Sequence, residues 1–138
     1  MFDDVDVGSL VNAINSCKSS LDYSTTESLI SSISNSSVWE ADCKSNLKTA
    51  MEKLIVRNKD IEKMLDHCLS VASLIERYKS LEEEQDILRE NCEYYRQMMA
   101  EDEENASYYG AKLDSALRRI DAIEQEKKVI LNKINGSL

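Results

Sequence analysis

Residues 38–109 contain neither glycine nor proline, and no proline occurs anywhere in the 138 residues. Nothing in that stretch compels a turn, and its apolar residues recur in alternating steps of three and four. Leu47, Ala50, Leu54, Ile61, Met64, Cys68, Val71, Ile75 and Tyr78 form the seam, the period of a helix that presents one stripe to a partner. Met51, Leu65 and Ala72 widen it to the broader face of a bundle helix, and Arg57 and Asn58 interrupt it. After Tyr78 comes Glu82-Glu83-Glu84, and the seam drifts to Leu81, Leu88, Cys92, Tyr95 and Met99. Unbroken over residues 38–100, such a helix would be roughly 90 Å long, so it either kinks or forms a coiled-coil rod.

The ends of this helix are marked. Ser37 and Glu40 have the spacing of a capping box, each side chain bonding an amide that the first turn leaves unpaired. A helix start near Val38, with a chain reversal just before it, puts Trp39 in the corner of a helical hairpin; the plainer reading is that this lone Trp caps a core. Upstream, Leu10, Ala13, Ile14, Cys17 and Leu21 have helical spacing, and the stripe resumes, rotated, at Leu29, Ile30 and Ile33. The poor helix formers at 22–26, with Ser24 and Glu27 as a second capping box, predict a bend between them. Downstream, the carboxylates at 101–104 oppose a helix C-terminus and mark a turn. Residues 106–134 then carry Leu113, Ala116, Leu117, Ile120, Ile123, Ile130, Leu131 and Ile134, a helix expected to fold back antiparallel on residues 81–99.

The fold class is therefore all-α: an elongated antiparallel helical hairpin, or coiled-coil-like bundle, with a long central helix. Residues 1–100 form the hairpin with its long second helix, and residues 101–138 the helix that packs back on it. The faces expected to meet a partner helix carry Leu10, Ile14, Leu54, Ile61, Cys68, Ile75, Leu88, Ile120 and Ile123.

A net charge of −9 disfavours nucleic acid or an anionic membrane as partner, because a phosphate backbone demands a basic surface. No apolar run approaches the ~20 residues of a membrane-spanning helix, and the acidic start Met1-Phe2-Asp3-Asp4 lacks the layout of a signal peptide. Cys17, Cys43, Cys68 and Cys92 lie 26, 25 and 24 residues apart, which is not zinc-ligand spacing. Free, buried thiols are expected in preference to two disulfides. No phosphate loop or His-Glu-x-x-His pair is present. His67 and Cys68 are adjacent, so on a helix they point about 100° apart and make no nucleophile–base pair. No enzyme activity, cofactor or metal is expected.

Trp39-Glu40-Ala41 at a hairpin corner, followed by Tyr78-Lys79-Ser80-Leu81-Glu82 at the far end of the helix, resembles the Trp-x-Gly helical-hairpin substrates of type VII (ESX) secretion. Those bacterial proteins carry a Trp-x-Gly turn and a Tyr-x-x-x-Asp/Glu signal after the second helix. Ala41 stands where the family has glycine; alanine is small enough for close packing and suits a helix start better. The likeness covers roughly residues 10–85. It implies a four-helix bundle formed with itself, as a homodimer, or with a sister protein, or else an escort that takes a helical toxin client to the secretion machinery. It also implies that Tyr78 and Glu82 form the export signal and that Trp39 lies near its other half. The protein would be cytoplasmic before export and secreted without a cleavable signal peptide. Two other readings stay open: a cytosolic coiled-coil scaffold, and an acidic immunity protein that neutralises a basic toxin by charge complementarity.

Overall fold

The computed structural model describes residues 2–21, 24–35 and 41–136, and within them the chain adopts the all-α fold that its periodicity predicts. The helices are α1 (Val7–Ser19), α2 (Ser24–Asn35), α3 (Ala41–Glu101) and α4 (Ala106–Gly136), with a 3-10 turn, Glu103–Asn105, between the last two. No strand occurs among the described residues. Trp39, Glu40, the Ser37–Glu40 capping box and the reversal expected before Val38 lie outside the described residues; Ala41 opens α3 as described.

Local chemistry accounts for the breaks. Carbonyls at the end of a helix lack amide partners, and at the end of α1 the hydroxyls of Ser19 and Ser20 donate to the carbonyl oxygens of Ser16 (2.9 Å) and Cys17 (2.7 Å). The bend expected at 22–26 thus falls between Ser19 and Ser24. The turn expected at 101–105 is also where α3 ends. The Asp102 amide closes the helix on the Met98 carbonyl at 2.9 Å, and Asp102 then leaves helical geometry at φ −124°, ψ 83°. Its carboxylate accepts from the Asn105 amide (3.3 Å) and side chain (2.8 Å), a local cap that reverses the chain without glycine or proline.

The helices form two compact units, Gly8–Ser70 and a second made of Met1–Val7 with Val71–Leu138. The boundary between them falls inside α3.

In the second unit, α4 returns antiparallel along the later part of α3. Ion pairs mark the direction: Arg77 meets Glu126, and Glu84 meets Arg119. The core is Ile75, Tyr78 and Leu81 against Ile123, Ile130 and Ile134, with Phe2, Val5, Leu74, Leu88 and Leu131 packed around it. Leu81 and Ile123 are completely buried, each contributing about 1.5–3 kcal/mol relative to exposure. The covered face shifts where Ile75, Tyr78 and Leu81 follow in two successive steps of three, a local change of phase that carries the stripe onward; this is the drift legible in the sequence. Residues 2–7 complete the core. The Phe2 ring meets Tyr78 edge-on at 5.2 Å, and Lys79 Nζ donates to the Val5 carbonyl at 2.9 Å.

In the first unit the expected seam from Leu54 to Cys68 is not the covered face. Leu54, Ile61 and Met64 are 48%, 38% and 67% exposed, and Cys68 is exposed too. Leu47, at the start of the expected seam, is half-buried; beyond it the covered or half-covered positions are Met51, Ile55, Asn58, Glu62, Leu65 and Leu69, of which Met51 and Leu65 belong to the widened stripe. One residue turns a helix face by roughly 100°. The helix carries two adjacent apolar stripes, and the one on the side of Asp66 is covered, where Lys18 of α1 makes its ion pair. The expectation of buried thiols is corrected in the same way. Cys17, Cys68 and Cys92 are free, but only Cys92 is buried, because Cys68 belongs to the outward stripe.

Candidate functional site

Tyr78 and Glu82 are four residues apart in α3, so they share one helical face. That face is turned toward α4, and Lys127 gathers both. Its Nζ lies 5.0 Å from the centre of the Tyr78 ring, 3.6 Å from Glu82 Oε1 and 3.2 Å from Gln85 Oε1, to which it donates. Gln85, 2% exposed, passes the contact on by donating from Nε2 to Glu124 Oε2 at 2.8 Å. Among the described residues no buried polar side-chain atom lacks a partner. Tyr78 is 5% exposed and part of the core.

Beside this network Arg119 grips Glu84 with two bonds, Nε to Oε1 at 2.6 Å and Nη2 to Oε2 at 2.9 Å, the fork geometry that makes Arg–carboxylate pairs directional. The bond from Arg119 holds the Glu84 carboxyl below its ordinary pKa and raises that of Arg119 itself. The bond from Gln85, helped by the charge of Lys127, does the same for Glu124. An open groove beside Glu82 is lined by Asp3, Lys79, Glu83, Asp86, Arg89 and Lys127, a mixture of both signs that favours no ligand charge. No group of three or more His, Cys, Asp or Glu among the described residues could hold a metal ion.

The residues assigned from sequence to one partner interface separate into two sets. Ile75 and Ile123 are in the core between α3 and α4, and Leu88 packs beside it; Ile120 of α4 is half-buried and Ile14 of α1 is buried. Leu10, Leu54, Ile61 and Cys68 remain exposed. The outward set on α3, with Met64 between Ile61 and Cys68, keeps the three- and four-residue steps of a coiled-coil seam. Neither protein-family models, nor curated proteins, nor solved structures give a match.

Three participants are not evident from sequence reasoning. Gln85 sits at a core position four residues after Leu81, where only its register against Lys127 and Glu124 shows that a polar group is satisfied. Phe2, the sole phenylalanine, precedes the first helix and belongs to no apolar period, so only its contact with Tyr78 places it in the core. The third is a run of aromatic rings where α3 turns into α4. Tyr94 meets Tyr95 at 5.7 Å and Tyr109 at 6.4 Å, and Tyr109 meets Tyr108 at 5.3 Å, all edge-to-face.

Proposed function

We propose that this protein is a small helical interaction protein that pairs with another helix through the outward stripe of α3, as a substrate or escort of a type VII secretion system. The observation that carries the pairing is the exposed series Leu54, Ile61, Met64 and Cys68. A coiled-coil seam left in water is stabilised by a second apolar helix. The partner is a second copy, a sister protein or a helical client. The secretion role rests on the resemblance of Trp39-Glu40-Ala41 and of Tyr78 with Glu82 to the Trp-x-Gly family. In that role the protein is cytoplasmic before export. Because Tyr78 is buried against α4, a machine that reads its ring must first open the contact with Lys127.

Replacing Ile61 by Glu and Met64 by Lys places charge on the seam without touching the covered face. Sedimentation analysis, alone and with co-expressed neighbours, should show association lost while helical circular dichroism is unchanged. Association that survives both changes removes the stripe from the proposal. For export, Glu82→Gln and Tyr78→Phe retain the packing and remove the charge and the hydroxyl. Secretion at the wild-type level by both would sink the signal assignment and leave a scaffold. The immunity reading, favoured by the excess of carboxylates, instead requires that the protein stay in the cell and rescue it from a toxin.

A further inference from the structure

The turn between α3 and α4 presents rings rather than aliphatic groups. Four of the six tyrosines, Tyr94, Tyr95, Tyr108 and Tyr109, occur there, joined in one edge-to-face series. Tyr94 and Tyr108 are 53% and 59% exposed. Edge-to-face packing sets each ring against the next, with Tyr95 and Tyr109 half-buried and Tyr94 and Tyr108 turned outward. Lys112 Nζ already lies 5.6 Å from the centre of the Tyr108 ring, an intramolecular instance of a cation on this surface. Along the chain the rings are flanked by Glu90, Glu93, Glu101, Asp102, Glu103 and Glu104, whereas the cations at the turn are Arg96, Lys112 and Arg119, the last two lining a groove with Tyr95.

From this geometry we infer that the α3–α4 turn is a docking surface for an arginine-bearing segment of a basic partner protein, separate from the helical seam. A guanidinium stacks on tyrosine faces and pairs with carboxylates through its planar fork, whereas an ammonium offers only a point charge. Rigid tyrosines present contact area with few torsions to fix, and the surrounding carboxylates speed encounter with a basic chain. The same carboxylates repel nucleic acid.

The test uses the full chain, an arginine-rich peptide and a lysine-rich peptide of equal length, followed by calorimetry and by amide chemical shifts. The arginine peptide should bind more tightly, with shifts centred on residues 94–112. Tyr94→Ala combined with Tyr108→Ala should weaken it roughly three- to tenfold and abolish the preference for arginine over lysine. Tyr94→Phe with Tyr108→Phe should keep both, and the exposure of these positions leaves the hairpin folded in either variant. Equal binding of the two peptides to the wild type, or unchanged binding by the alanine pair, would overturn the inference in favour of diffuse attraction to an acidic surface. Absence of binding, or preferential binding of duplex DNA at the same residues, would overturn it outright.

Discussion

A single amide, Gln85, decides how α4 lies on α3 around Tyr78. Its oxygen accepts from Lys127 and its nitrogen donates to Glu124, so a shift of α4 by one turn breaks both bonds and buries an unpaired polar group. The charged neighbours make this contact sensitive to acid. Glu84 and Glu124 both titrate below the ordinary value of 4.5. A carboxyl depressed by folding stabilises the native state above its unfolded pKa, and that contribution is lost as pH falls through the folded pKa. Unfolding midpoints in denaturant should therefore be level near neutrality and decline below about pH 5. Glu84→Gln should be less stable at pH 7 and should lose less on acidification. The side chains are half-exposed, so added salt should shrink the difference between the two proteins. Parallel acid profiles for wild type and variant would show that the Glu84–Arg119 pair is not coupled to folding.

At the scale of the element, α4 contains a residue that its helix does not need. Gly110 lies in the helix interior with no positive φ, and a β-carbon there would meet Met99 Cε at 3.5 Å, ordinary contact. Glycine inside a helix costs about 0.5–1 kcal/mol relative to alanine. Gly110→Ala should raise stability by about that amount in a denaturant titration. A loss of stability instead would mean that Met99 cannot accommodate the methyl group. Much at this scale is legible in sequence: a break between α1 and α2, expected at 22–26 and begun a few residues earlier, the Asp102 turn, the start of α4 and the stripe of Ile123, Ile130 and Ile134. Each depends on neighbours within a few residues. The faces of α3 are harder to read, because Leu54 and Ile55, or Met64 and Leu65, are equally apolar. Periodicity alone does not say which of two adjacent stripes is covered.

Across the molecule, the two units are unequal. Among the described residues, the one built on the later part of α3 and α4 holds the contiguous core, while the other buries Ile14 and Ile55. Local stability follows buried apolar contact. Amide hydrogen exchange should thus be slower over residues 72–100 and 113–134 than over residues 47–68, although both sides of the boundary belong to one helix. Uniform protection along α3 would mean that the helix opens only as a whole. The proposed helical partner gives this difference a use, since pairing through Leu54, Ile61 and Met64 should raise protection in the weaker unit first.

Residue order alone is enough to make the chain helical, to end α3 and α4 and to turn α4 back on α3, because backbone capping and apolar period are short-range properties. Only tertiary structure decided which stripe of α3 faces outward, that Tyr78 is buried beneath Phe2 and Lys127, and that Gln85 is satisfied in the core. Those outcomes depend on which groups distant segments bring opposite one another. The central run without glycine or proline permits a long helix; the chains that fold against it select its faces.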